Sequence, residues 1–121
     1  MRFAAVDIFL DPNGQPLAAY QLEFFSANGQ VKIVSIEGGE HPAFKDAPYY
    51  DPKAIQKEKV ILAAFSTASV AGLPLLKTRV ATIHLQITGG GHEYQSKLIT
   101  AATATGKAIT PIVTIEERKT R

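Results

Sequence analysis

Hydrophobic and polar residues alternate with a period of two over most of this chain, and turn residues interrupt the alternation. From Phe3 to Leu10 the sequence reads FAAVDIFL. Val6, Ile8 and Leu10 fall on one side of an extended strand, Asp7 and Phe9 on the other. Asp11-Pro12-Asn13-Gly14 ends it, because proline presets one backbone angle and Asn-Gly tolerates a positive one. Leu17 to Phe25 resumes the pattern. Ala18, Tyr20, Leu22 and Phe24 share one face; Ala19, Gln21 and Glu23 share the other. Asn28-Gly29 is a hairpin turn signal. Val31 to Ile36 is a short strand rich in β-branched residues.

Gly38 to Pro52, GGEHPAFKDAPYYDP, breaks the alternation. Its prolines deny it a central place in a sheet, so it reads as a long loop with one short edge strand near Ala43–Lys45. Asp51 is placed to cap a single helical turn over 51–57, with Pro52 at the first position. Lys59 to Ser66, KVILAAFS, carries apolar residues on both sides, which predicts a strand covered on both faces or nearly so. Thr67 to Thr78 is a loop containing Gly72 and Pro74. Arg79 to Thr88 alternates again, with Ala81, Ile83, Leu85 and Ile87 inward and Thr82, His84 and Gln86 outward. Gly89-Gly90-Gly91 is a turn. Glu93–Ala102 and Ala108–Glu116 are the last strands, joined around Thr105-Gly106-Lys107. Strands at near-regular spacing, with no helix of ordinary length, predict an all-β antiparallel sandwich or small barrel.

The chain has 121 residues, which predicts one domain over 1–121 with a core spanning about 3–116 and a charged tail at 117–121. The net charge is only +2, and the basic residues are scattered from Arg2 to Arg121. That pattern lacks the clustered charge of a nucleic-acid footprint. Cysteine is absent, which excludes disulfide scaffolds, thiolate zinc sites and cysteine nucleophiles. No apolar run approaches the roughly 20 residues of a membrane span. Arg2 leads straight into a strand pattern with no signal peptide before it, as expected of a cytoplasmic chain or of a mature segment.

The run VDIFLDPNGQPLAAYQLEFF, followed by VKIVSIEGG, resembles the opening of cohesin modules. KVILAAFSTAS is similar to the family's sixth strand and RVATIHLQIT to its seventh, so the resemblance covers roughly residues 3 to 116. It implies an antiparallel β-sandwich of jelly-roll topology with about nine strands. It also implies a non-catalytic protein-interaction module, in an extracytoplasmic setting, that captures a dockerin-like partner on one sheet. The positions implied for that sheet are the exposed residues of Val31–Ile36, Lys59–Ser66 and Glu93–Ala102. The segment EHPAFKDAPYYDP matches no standard cohesin element.

The candidate chemistry is sparse. Tyr49 and Tyr50, with Phe44 nearby, can form an aromatic platform for a sugar ring or a partner's apolar patch. Adjacent residues of an extended segment point apart, so one tyrosine is exposed while the other anchors the loop, unless both pin it. His84, on the polar side of its strand, completes the candidate binding set and otherwise reads as a surface residue. Glu37, Glu40, His41, Asp46 and Asp51 lie within one loop. They offer oxygen ligands to a hard cation such as weakly bound calcium, or form a solvated acidic loop; their spacing matches no defined calcium loop. Asp7 and Glu23 are expected to solubilise adjacent strands or pair with lysines there. No nucleophile elbow, P-loop or dinucleotide motif occurs, and Ser66 and Ser69 lack nucleophile context. The expectation is therefore a protein without catalytic residues or cofactors. Carbohydrate binding is the alternative function, although the absence of tryptophan and the core-like positions of most phenylalanines weigh against it. Self-association through an edge strand, as a structural or assembly domain, is the third reading.

Overall fold

The computed structural model describes residues 1–26, 30–89 and 94–118. Among these residues are seven antiparallel strands: β1 (Arg2–Asp11), β2 (Leu17–Phe25), β3 (Val31–Gly38), β4 (Lys59–Phe65), β5 (Thr78–Ile87), β6 (Gln95–Thr103) and β7 (Ile112–Glu117). They form a four-stranded sheet of order β3-β5-β1-β7 and a three-stranded sheet of order β4-β2-β6. The alternation sets the layering. Val6, Ile8 and Leu10 of β1, with Ile83, Leu85 and Ile87 of β5, face Leu22 and Phe24 of β2 and Leu62 of β4 across a shared core. These side chains are almost fully buried, and each removes apolar surface from water at about 25 cal/mol per Å2. The result is an all-β sandwich.

The first turn forms as its residues require. Asn13 and Gly14 adopt positive φ angles of 52° and 87°, and Asp11 accepts a hydrogen bond from the Asn13 amide at 2.9 Å. The Asn28-Gly29 turn, Gly90-Gly91, the expected strand start at Glu93 and the tail residues 119–121 lie outside the described residues. Glu117 ends β7, and the Arg118 amide donates to Ala5 O at 2.8 Å.

Seven strands stand among the described residues where the resemblance implied about nine. Ala43–Lys45 does not extend along a sheet. Pro42–Phe44 is a one-turn 3-10 helix, with the Ala43 amide donating to His41 Nδ1 at 3.0 Å. Pro52–Ala54 is a second such turn, capped by Asp51 through the Lys53 amide at 2.9 Å, as the Asp-Pro pair predicts. The last strand starts at Ile112 rather than Ala108, because Pro111 has no amide to give a ladder. Ala108 makes only an isolated bridge to Ala102.

Residues 39–58 form a wall on the open side of the sandwich. Gln56 N donates to Ile33 O and Ile33 N donates to Lys57 O, both at 2.8 Å, which ties the wall to β3. Tyr49 and Ala63 exchange backbone bonds of 2.7 and 3.0 Å, which ties it to β4. Phe44 points inward, 3% exposed, and meets the Tyr20 ring edge-on at 5.5 Å. The wall approaches so closely that a Cβ on Gly38 would collide with the Lys45 carbonyl oxygen, and one on Gly39 with the Arg79 carbonyl oxygen.

Candidate functional site

The outer face of the three-stranded sheet follows from strand register. On β4 it presents Lys59, Ile61, Ala63 and Phe65, opposite Phe25, Glu23, Gln21 and Ala19 of β2. Beyond β2 it continues onto Gln95, Lys97, Thr100 and Ala102 of β6. The expectation that KVILAAFS is covered on both faces is corrected here. Val60 and Leu62 are buried, but Ile61 is 43% and Phe65 77% exposed. Nothing among the described residues lies over them, because the seven strands are used up in two layers.

The wall adds the third apolar group. Tyr49 pairs with Ala63, so its side chain stands on the same outer face, 81% exposed. Ile61, Tyr49 and Phe65 form a strip along the β4 edge, over a floor of small residues at Ala19, Ala63 and Ala102. Two open grooves flank Tyr49, and Gln21 and Ala63 line both. The groove on the Phe65 side has a volume of about 630 Å3; Phe65, Asp46, Pro48, Thr100 and Ala102 contribute to it. The groove on the Ile61 side has a volume of about 650 Å3 and is rimmed by Lys53, Lys57 and Lys59 with Asp51 and Glu58. Lys59 pairs with Glu23 at 3.2 Å, an exposed ion pair of small energetic weight.

The expected binding set divides. Tyr49 is the member on this face. Tyr50 packs half-buried against the core while lining the groove on the Ile61 side. Phe44 is a core anchor whose buried ring lies beneath the groove on the Phe65 side. His84 lies on β5, in the other sheet. Val31–Ile36, which the resemblance placed on the partner sheet, is corrected likewise: it is part of β3 in the four-stranded sheet, and β2 is the central strand between β4 and β6. Ile61 and Phe65 are the large exposed residues of Lys59–Ser66, one of the segments that the resemblance implied for the partner sheet; Gln21 of β2 lay outside every expected set.

The outer face of the four-stranded sheet carries a network of polar groups over its middle, with Phe3 and Ile112 exposed toward its ends. Thr82 Oγ1 donates to Asp7 Oδ1 at 2.8 Å and accepts from Arg79 Nη1 at 2.8 Å and Arg118 Nη2 at 3.2 Å. Arg118 Nε donates to both Asp7 carboxylate oxygens at 3.1 and 3.0 Å, and this bond raises the guanidinium pKa further. Asp7 thus pairs with an arginine rather than a lysine, and it lies in the sheet opposite Glu23. His84 Nε2 meets Glu37 Oε2 at 2.8 Å, and that hydrogen bond, with the charge of the imidazolium, holds the Glu37 carboxyl below its usual pKa. Beneath the three-stranded sheet, burial raises the Tyr20 phenol pKa, so it stays protonated.

The five candidate cation ligands do not converge. Glu37 is engaged by His84. Glu40 accepts from the Arg79 amide at 2.9 Å and Thr78 Oγ1 at 3.3 Å. His41 and Asp51 cap the two 3-10 turns, and Asp46 lines a groove. No group of three or more His, Asp or Glu side chains among the described residues is placed to hold a metal ion. No helix among them is long and apolar enough to cross a membrane.

No protein-family model matches the chain, and no curated protein sequence matches it. Solved structures do. A chain of the CaDoc0917–CaCohA2 complex superposes with a TM-score of 0.68 at 13% identity, over 90% of this chain and 82% of that one. A non-cellulosomal cohesin from the hyperthermophilic archaeon Archaeoglobus fulgidus gives 0.62 at 9% identity, over 89% and 72%. A chain of a type I cohesin–dockerin complex from Clostridium thermocellum, Coh-OlpA-Doc918, gives 0.61 at 11% identity, over 84% and 75%. The fold is cohesin-like. At these identities the likeness is one of architecture.

Proposed function

We propose that this domain is a non-catalytic protein-interaction module that receives its partner on the outer face of the β4-β2-β6 sheet. The observation that carries the reading is the strip of Ile61, Tyr49 and Phe65, which leaves three large apolar side chains in water beside a floor of alanines. Such a strip, flanked by polar residues, matches the anatomy of an interface core, where buried aromatic anchors supply most of the binding energy. On the outer face of the opposite sheet Asp7, Thr82, Arg79, Arg118, Glu37 and His84 bond to one another, and the exposed apolar side chains there, Phe3 and Ile112, stand at opposite ends of the sheet rather than in one strip. A second copy pairing edge to edge on β3 or β4 is disfavoured. The wall residues tie up both β3 and β4 on the open side, a common way of blocking strand addition.

Two of the similar solved structures carry cohesin and dockerin names in complexes, which supports a dockerin module as the partner class and an extracytoplasmic setting. Surface plasmon resonance of the intact domain against purified dockerin modules tests this. The expected result is saturable binding to at least one, lowered at least about 30-fold by Tyr49→Ala or Phe65→Ala, a hot-spot loss of about 2 kcal/mol. Ser35→Ala, on the other sheet, should leave it unchanged. Absence of binding across the set would overturn the dockerin assignment. Binding that survives both aromatic truncations would overturn the choice of face.

A further inference from the structure

We propose that the groove between Tyr49 and Phe65 also binds a neutral oligosaccharide. Tyr49 pairs with Ala63, and Phe65 lies two residues further along β4 on the same side of the sheet. The two aromatics are therefore diagonal neighbours, whose Cα atoms lie about 7–8 Å apart in a regular sheet. They are 81% and 77% exposed, and neither stacks on another aromatic ring among the described residues. Two rings thus stand side by side in water at the edge of one groove.

A sugar ring presents two chemistries together, an apolar C–H face and a belt of hydroxyls. The aromatic rings suit the first. Gln21, Asp46 and Thr100 suit the second: they line the same groove, and their side chains have no hydrogen-bond partner among the described residues. Amide, carboxylate and hydroxyl together offer both donors and acceptors. The floor of Ala19, Ala63 and Ala102 lets a ring settle close to the sheet. The volume of about 630 Å3 is that of a small-molecule site, and the groove is open to solvent, so a longer chain can pass through it. Charge sets the class. Asp46 is the one ionised residue that lines this groove, whereas the lysines rim its neighbour. A neutral glycan fits the first groove better than an anionic one. A protein docked on this sheet would cover both rings, so glycan and protein would exclude one another, but the two bindings are measured separately.

Nitrogen-15 NMR titration of the intact domain with cellohexaose, xylohexaose and chitohexaose (N-acetylated) tests the proposal. The expected result is saturable shifts of the Tyr49, Gln21 and Ala63–Phe65 amides with at least one probe. Tyr49→Ala and Phe65→Ala should each weaken that binding by about tenfold or more. Thr114→Ala, on the outer face of the four-stranded sheet, should not change it. Thermal melts confirm that the aromatic variants remain folded, as their exposure implies. No shift with any probe up to about 10 mM, the weak end of the affinity scale, overturns the proposal. Shifts confined to residues outside the groove, or full affinity in both variants, overturn it as well. Dockerin binding can succeed or fail independently of either result.

Discussion

Replacing Phe44 by alanine separates an anchor from a platform. Phe44 and Tyr49 lie five residues apart in the same wall, yet their environments are opposite. Phe44 is 3% exposed, belongs to the core cluster and meets Tyr20 edge-on; Tyr49 is 81% exposed. Truncating a buried phenylalanine costs about 3–5 kcal/mol, because transfer free energy is lost and a cavity remains. For a domain of this length each kcal/mol shifts Tm by roughly 3–5 °C, between the values for shorter and longer domains. Phe44→Ala should therefore melt roughly 10–20 °C below the parent. A total stability of about 5–15 kcal/mol leaves most of that range folded at room temperature. Tyr49→Ala keeps the backbone bridge to Ala63 and should change stability by no more than about 0.5 kcal/mol, or about 2 °C. Circular dichroism melts of the three proteins at one pH and concentration give the comparison. A Phe44→Ala melt within about 3 °C of the parent would refute the reasoning, since the wall would then be held without its core anchor. A Tyr49→Ala loss as large as that of Phe44→Ala would refute the exposure on which the interaction face rests.

Three further outcomes follow from single residues. Gly38→Ala places a methyl group against the Lys45 carbonyl oxygen and the Asp46 backbone, so the wall must shift. A loss of about 1–3 kcal/mol is expected in urea unfolding, and an unchanged midpoint would show that the approach is looser than described. Tyr20→Phe deletes a buried hydroxyl with no hydrogen-bond partner among the described residues. Stability should stay level or rise by up to about 1–2 kcal/mol, whereas a clear loss would reveal a partner for that hydroxyl. The Glu37 carboxyl is held below its usual pKa by His84, so its contribution is present above the ordinary glutamate value and lost as pH falls through the depressed one. His84→Ala should return the Glu37 titration to that ordinary value in carboxyl NMR. A midpoint unmoved by the substitution would remove the pair as the cause.

The layering was legible in the sequence because a period of two is local. Val6, Ile8 and Leu10 could be assigned to one face, and Tyr20, Leu22 and Phe24 to another, from spacing alone. Sheet membership was not, because it is set by pairing between distant segments. Val31–Ile36 and Leu17–Phe25 alternate equally well, yet one pairs with β5 and the other with β4 and β6. The wall was read as a loop for a sound reason, its prolines. The inward position of Phe44 depends on where the 3-10 turn at Pro42 aims the chain, which no periodicity records.

The site was hidden for a different reason. An apolar residue on the outward side of a strand has two explanations, a second covering layer or a surface open to another molecule, and KVILAAFS was assigned the first. The choice could have been decided by counting what remained to do the covering. The pattern contained no helix of ordinary length, and the strands it predicted were enough for two layers and no more. With Val60 and Leu62 directed to the core, no strand among the described residues was left to lie over Ile61 and Phe65. Their exposure leaves apolar area in water that the described strands do not bury, and that area is the observation on which the proposed docking face rests.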